Sequence, residues 1–236
     1  MSVNRKSNLF KRFLLILFII LTTLNTYSFV LAEETTNTET ETNSAEEGTA
    51  SNIPSTYSPS TLLMDLDSGK ILYSKNANTR MYPASTTKIM TAILTIENCQ
   101  LTDTAVASHN AIYSVPSGYT HASIQEGEEL TIEQLLNVLL IPSANEAASI
   151  LAEHIAGSVE AFADMMNAKA VEIGCKDTHF VNPNGVHDEN HYSTAYDLAL
   201  IGKYAMQYEV FRDIASKTSC SPVSYTHLRA HETSAH

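Results

Sequence analysis

A polar stretch between residues 33 and 56 limits what this chain can fold into more than any other feature. It is rich in Thr, Glu, Asn and Ser and holds almost no apolar side chain. Such a segment buries too little apolar surface to offset the entropy lost on ordering, so we expect a disordered linker. The folded domain is predicted to begin near Tyr57 and to extend to residue 221, a length suited to one core.

The residues before this linker have the pattern of an export signal. A basic segment ends at Arg12, an apolar run follows from Phe13 to Leu21, and small side chains near Val30–Ala32 suit a signal peptidase. Residues 1–32 are therefore predicted to be a signal peptide, which places the mature protein outside the cytoplasm. The alternative is an uncleaved membrane anchor, because apolar residues continue to Leu31 beyond a strictly apolar run that is too short to span a bilayer.

The charge balance argues against nucleic acid as a partner. The chain has 26 acidic and 14 basic side chains and a net charge of −12. Residues 1–32 carry basic side chains and no acidic ones, so the mature protein is more negative still. Such a surface repels phosphate backbones.

Cysteine and histidine positions indicate neither a disulfide framework nor a metal site, and no cofactor is predicted. Cys99, Cys175 and Cys220 are odd in number and widely separated, so we expect free thiols, buried in the case of the first two. His187 and His191 are four residues apart, but in a segment that is expected to be a loop. A metal role for this pair is the alternative.

Hydrophobic periodicity predicts strands at the start of the domain and helices after them. Apolar residues alternate in Leu62–Leu66 and Ile71–Tyr73, and the turn at Asp67–Gly69 would join these segments into a hairpin. Helical segments are predicted after Pro83 and at about Ile132–Leu140, Ala144–Ile155, Val159–Ile173 and Ala195–Tyr208. Because strands and helices do not alternate along the chain, the expected class is α+β.

The first chemical candidate is the pair Ser85 and Lys88. Pro83 can start a helix but cannot lie inside one, so Ser85 falls in the first turn and Lys88 one turn later on the same face. A serine hydroxyl becomes a nucleophile when a base takes its proton, and lysine can be that base if burial and a second cation lower its pKa. The alternative is an ordinary helix start, with Ser85 as the cap and Lys88 in solvent. The spacing alone favours this alternative.

Ser143 and Asn145 form the second candidate. They follow the apolar run Leu135–Ile141, between two predicted helices, where a loop can direct a hydroxyl and an amide into a cleft. The structural alternative is a capping box, in which Ser143 and Glu146 begin a helix without any catalytic role. That alternative does not explain why a Ser-x-x-Lys helix precedes the segment.

Five segments in this order resemble the low-molecular-weight penicillin-binding D-alanyl-D-alanine carboxypeptidases. They are Pro83–Ala92, Leu139–Ala148, Phe162–Ala170, Thr178–Gly185 and Ser193–Asp197. The similarity extends from about Tyr57 to Ser219. It implies an α+β domain of the β-lactamase/transpeptidase type, in which a helical cluster packs with an antiparallel sheet.

By this resemblance the protein is an exported serine peptidase that removes the terminal D-alanine from peptidoglycan stem peptides and is inhibited by β-lactams. Ser85 would be the nucleophile that forms an acyl-enzyme, and Lys88 would accept its proton. Ser143 would relay protons toward the leaving D-alanine. Asn145 would bind the substrate backbone and help to hold Lys88. The backbone N–H of Ser85 would supply half of the oxyanion hole.

Two features depart from the family pattern. Glu146 stands where the family often has Asp, and the third family motif, Lys-Thr-Gly on a core strand, is missing. Lys217–Ser219 is the nearest string, but it lies too early and lacks the glycine. We therefore expect a C-terminally truncated domain whose sheet is incomplete and whose catalysis is severely impaired. Residues 222–236 resemble a translated sequencing adapter and are expected to be a non-native tail; a divergent C-terminus is the alternative.

Two other functions stay open at this point. A serine β-lactamase shares the Ser-x-x-Lys helix but needs a deacylating base, and no Glu here stands in a recognisable β-lactamase motif. A non-catalytic peptidoglycan-binding or penicillin-sensing protein would use the same cleft without turnover. Membrane association through the missing C-terminal part, as in many relatives, is also left open.

Overall fold

The computed structural model describes residues 56–220, and within them two strand pairs and seven α-helices. These are β1 (Thr61–Met64), β2 (Ile71–Lys75), α1 (Lys88–Asn98), β3 (Thr104–Val106), α2 (His109–Tyr113), β4 (Glu129–Thr131), α3 (Ile132–Leu140), α4 (Asn145–Ala156), α5 (Val159–Ile173), α6 (Ala195–Ala205) and α7 (Glu209–Ala215). A 3-10 turn, Ala84–Thr87, precedes α1. The predicted signal peptide, all but the last residue of the predicted linker, and the predicted tail lie outside the described residues.

The predicted N-terminal hairpin is confirmed. β1 and β2 are antiparallel, with Thr61 opposite Lys75 and Met64 opposite Ile71. The turn closes through a 2.8 Å hydrogen bond from Asp65 N to the carbonyl of Lys70. Leu66 lies in this turn, not in β1 as expected, because the strand ends at Met64.

The helices pack around α4, whose first eight residues are all buried. It contacts α1, α2, α3 and α5. α3 begins with a capping box: Gln134 N donates to Thr131 Oγ1 (3.2 Å), and Thr131 N donates to Gln134 Oε1 (2.8 Å). Its apolar residues recur at helical spacing, so they form one buried stripe. The largest buried side chains include Leu135, Leu136, Leu139, Ile150 and Leu151.

The α+β class is confirmed, and the segments Ile132–Leu140 and Val159–Ile173 have the expected bounds. The single helix expected over Ala195–Tyr208 is wrong. α6 ends at Ala205, and Tyr208 has an extended backbone that begins α7. No Pro or Gly marks this break, so the hydrophobic pattern gave no signal of it.

The pair β3–β4 and the short helix α2 were not predicted. Three-residue strands are too short to show an alternating pattern, and their pairing joins segments far apart in sequence. Within residues 56–220, no helix is both long and apolar enough to cross a membrane.

Candidate active site

The 3-10 turn at Ala84–Thr87 presents Ser85 at the start of α1. Pro83 caps this turn, and Ala84 has a φ of +48°, in the left-handed region. Such a backbone is strained for a residue with a Cβ, and it aims the next side chain out of the helix start. Ser85 is exposed, so the hydroxyl predicted to be the nucleophile is accessible to a ligand.

Lys88 is the first residue of α1, and its amine is enclosed by three acceptors. Nζ lies 3.2 Å from Ser85 Oγ, 2.9 Å from Asn145 Oδ1 and 2.7 Å from the carbonyl oxygen of Asn184. Only 2% of the residue is exposed. The three contacts match the three donors of an ammonium group. The alternative with Lys88 in solvent is therefore wrong.

Burial lowers the pKa of Lys88 to about 8, and the negative charge of Glu146 partly opposes this lowering. Within residues 56–220, the charged neighbour that acts on this lysine is a carboxylate, so burial alone lowers its pKa there. A pKa near 8 leaves an appreciable neutral fraction at physiological pH, which is what a general base requires.

Asn145, the first residue of α4, has a fixed amide. Its Oδ1 accepts from Lys88, and its Nδ2 donates to the carbonyl of Thr120 (2.9 Å). Its backbone N–H reaches the same carbonyl at 3.0 Å. The amide therefore holds Lys88, as the resemblance implied, and one of its two N–H donors stays available to a ligand.

Ser143 lies in the turn between α3 and α4, with a φ of +63°. The capping-box alternative is wrong: the N-cap is Ala144 and has no side-chain hydrogen bond, and Glu146 bonds elsewhere. Among the described residues Ser143 makes no side-chain hydrogen bond, so no hydrogen bond joins it to the Ser85–Lys88–Asn145 network. A strained backbone that no cap explains is typical of a functional position.

Asn184 is a member of this network to which no role was assigned. It lies in the loop 182–186, where Gly185 N and Val186 N donate to side-chain amides of the loop, Asn182 Oδ1 and Asn184 Oδ1. Gly185 has a φ of +83°, and a Cβ there would lie 1.9 Å from the carbonyl oxygen of Ala84. An Asn-Pro-Asn-Gly string is typical of a tight turn, but the sequence does not show that this turn meets the Ser85 segment.

The comparisons with known proteins concern the family of this chain. A sequence model of D-alanyl-D-alanine carboxypeptidases matches residues 47–227. The chain belongs to the D-alanyl-D-alanine carboxypeptidase family. The recognition made from the five sequence segments is thereby confirmed.

Among relatives of this carboxypeptidase family, DacF of Bacillus subtilis is 41% identical over 155 residues, 64% of this chain and 39% of DacF. A crystal structure of the D-alanyl-D-alanine carboxypeptidase from Mycobacterium tuberculosis matches with a TM-score of 0.65 and 32% identity, covering 72% of this chain and 65% of that one. A crystal structure of penicillin binding protein 6B from Escherichia coli matches with a TM-score of 0.68 and 28% identity, covering 74% of this chain and 58% of that one. The chain thus spans about two fifths of the length of DacF.

The string Lys217–Ser219 takes no part in the network around Ser85 and Lys88. It follows α7 and is not in a strand, and Lys217 Nζ donates to Asn137 Oδ1 on α3 at 2.8 Å. It is therefore a chance match to the third family motif, as expected.

His191 links Val181, just before the 182–186 loop, to the 3-10 turn that precedes α1. Its Nδ1 accepts from Val181 N (3.1 Å), so the ring is neutral with its proton on Nε2, which lies 2.8 Å from Thr87 Oγ1. Burial lowers the pKa of His191 to about 4, which keeps the ring neutral at working pH. Hydrogen bonds at both ring nitrogens indicate a structural role for His191. Within residues 56–220 there is no cluster of three His, Cys, Asp or Glu side chains that could hold a metal.

The thiols are free but half-buried, where burial had been expected for Cys99 and Cys175. Burial raises the pKa of the Cys99 thiol and raises that of Cys175 to about 12. Both are therefore poor nucleophiles at neutral pH.

Proposed function

We propose that this protein is a serine-type D-alanyl-D-alanine carboxypeptidase that removes the terminal D-alanine from peptidoglycan stem peptides outside the cytoplasm. One observation carries the proposal: the buried amine of Lys88 lies 3.2 Å from the exposed hydroxyl of Ser85. This pair supplies an activated nucleophile and its base in one place. Export through the signal peptide at residues 1–32 brings the enzyme to its substrate.

The reaction begins when neutral Lys88 takes the proton of Ser85 Oγ, which attacks the carbonyl carbon between the two D-alanines. The N–H of Ser85 stabilises the resulting oxyanion. The C–N bond then breaks as the proton from Lys88 reaches the leaving D-alanine, with Ser143 as the relay. Water then attacks the ester on Ser85. Lys88 takes a proton from this water and gives it to Ser85 Oγ as the ester bond breaks. A β-lactam acylates Ser85 in the same way, but water hydrolyses the resulting ester slowly.

Asn145 and Asn184 support this chemistry by holding the base. Each accepts a hydrogen bond from Lys88 Nζ, so the amine stays directed at Ser85 while its charge changes. The remaining N–H of the Asn145 amide is suited to the carbonyl of the substrate peptide.

The test is acylation by a fluorescent penicillin. Because the sequence contains no Lys-Thr-Gly, we would assay a chimera in which residues 33–220 are followed by the part of Bacillus subtilis DacF beyond its matched region. We expect a stable adduct on the peptide that contains Ser85, release of D-alanine from a stem pentapeptide, and neither after Ser85→Ala. Rapid release of hydrolysed penicillin would instead indicate a β-lactamase. A folded chimera that forms no adduct would indicate a binding protein.

A further inference from the structure

Glu146 carries a carboxylate in an unusual environment. It is the second residue of α4 and only 1% exposed. Oε1 accepts from the backbone N–H of Ala122 at 2.5 Å. Oε2 lies 3.3 Å from His121 Nδ1, a distance that allows charge attraction, but it has no hydrogen bond within residues 56–220. Burying such a group is costly, so its retention calls for a reason beyond packing.

Both partners of Glu146 belong to the segment that also holds Asn145. The carbonyl oxygen of Thr120 accepts hydrogen bonds from the backbone N–H and from the side-chain N–H of Asn145, at 3.0 and 2.9 Å. Two adjacent residues in the first turn of α4, Asn145 and Glu146, thus hold residues 120–122 through hydrogen bonds. Asn145 in turn accepts from Lys88. A continuous set of contacts joins the Glu146 carboxylate to the amine beside Ser85.

Glu146 also acts on Lys88 through its charge. The negative carboxylate favours the protonated amine, whereas burial disfavours it. Within residues 56–220, Glu146 interacts electrostatically with Lys88 on α1 and with His121 on the 120–122 segment.

We propose that Glu146 is a positioning residue, whose carboxylate fixes residues 120–122 against Asn145 and supplies the negative charge that Lys88 faces. Its importance for catalysis rests on the proposed role of Lys88 as the base. The two structural consequences do not: ordering of residues 120–122 and the titration of Lys88 can both be measured without substrate.

The experiment compares Glu146→Gln and Glu146→Asp with a matched control, Glu153→Gln, in the full chain. Glu153 lies on the same helix and likewise holds a preceding segment, accepting from Ser108 Oγ at 2.5 Å and Asn110 Nδ2 at 3.0 Å. Amide hydrogen exchange reports the order of each segment. NMR of Lys labelled with 13C at Cε, assigned with Lys88→Met, reports the protonation of Lys88.

Glu146→Gln should speed exchange in residues 120–122 by at least ~10-fold. It should also lower the midpoint of the Lys88 titration from about 8 by roughly one pH unit, because removing a nearby negative charge favours the neutral amine. Glu146→Asp keeps the charge on a shorter side chain, so it should retain the midpoint while exchange becomes faster. Glu153→Gln should affect only residues 108–113.

An unchanged Lys88 midpoint in Glu146→Gln, or unchanged exchange in residues 120–122, would overturn the proposal. If Glu146→Gln does not fold, Glu146→Asp decides it: exchange in residues 120–122 no faster than in the native chain overturns the anchoring role. A failure of the proposed peptidase function would appear separately, as a missing penicillin adduct with both of these measurements as expected.

Discussion

The N-terminal hairpin and the helical cluster differ most in how much of each is buried. In α1, seven of the eleven residues are buried, among them Lys88. In β1 and β2 no residue is fully buried, and Leu63 and Leu72 are 54% and 53% exposed. The hairpin is held by its backbone pairing and by the contact of β1 with α6.

This difference in burial explains why the candidate base lies in the helical cluster and not in the hairpin. A lysine becomes a base at neutral pH only where water is excluded, and the helical cluster provides that environment for Lys88. Lys75 on β2 shows the contrast: its amine reaches the carbonyls of Thr56 and Ser58 at 3.2 and 2.9 Å in a more open setting. The two lysines thus have identical side chains, but only Lys88 lies where it is a candidate base.

The largest expected effect compares these two lysines. In the chimera, Lys88→Met should slow penicillin acylation by about 10²–10⁴-fold, the usual contribution of a positioned base. Lys75→Met should leave the rate unchanged, because its amine does not contact Ser85. Stopped-flow acylation of both variants measures this. Equal rates for native and Lys88→Met chimeras would show that Ser85 is activated by another group.

The next prediction compares a buried leucine of the helical cluster with an exposed leucine of the hairpin. Leu139 in α3 is 0% exposed, whereas Leu63 in β1 is 54% exposed. Leu139→Ala should lower the free energy of unfolding by about 2–5 kcal/mol, through lost transfer energy and the cavity left behind. Leu63→Ala should change it by less than about 0.5 kcal/mol.

Urea unfolding of the chain, followed by circular dichroism, measures both values. If Leu63→Ala were as costly as Leu139→Ala, the outer face of the hairpin would be covered in solution, and the contrast between the two regions would disappear.

The smallest difference concerns two glycines with a positive φ. In the hairpin turn, Gly69 has a φ of +73°, and an added Cβ would meet only the movable Lys203 Nζ at 3.0 Å. Gly69→Ala should therefore cost about 1–2 kcal/mol, from the left-handed backbone alone. Gly185→Ala should cost about 3 kcal/mol, because overlap with the Ala84 backbone adds to the same strain.

The same urea titrations test this pair, and acylation adds a second readout. Only Gly185→Ala should slow acylation, since its contact displaces the turn that carries Ser85. Slower acylation in Gly69→Ala would mean that the hairpin turn influences the site.

Much of the local structure could be predicted from the sequence. The bounds of α3 and α5, the hairpin turn and the placement of Ser85 and Lys88 near one helix start follow from periodicity over a few residues. Such patterns depend on neighbours three or four positions away, which the chain itself supplies. The role of Asn145 in holding Lys88 was implied by the family resemblance and agrees with the hydrogen bonds.

The failures of prediction at the candidate site involve partners far apart in sequence. A capping box at Ser143 and Glu146 satisfied every local rule, yet Glu146 turns instead to Ala122, 24 residues earlier. Asn184 reaches Lys88 across 96 residues, and its role lies in a backbone carbonyl, which has no side-chain signal. Sequence spacing does not encode which loops meet.

The chain's local pattern thus specified where a hydroxyl and an amine lie on one turn, but not whether that pair is reactive. Reactivity depends on burial, because exclusion of water is what lowers the pKa of Lys88 to about 8. That exclusion comes from α4 and the 182–186 loop closing over α1, an arrangement of segments far apart in the sequence. Packing in three dimensions converts a common spacing into a candidate base and nucleophile.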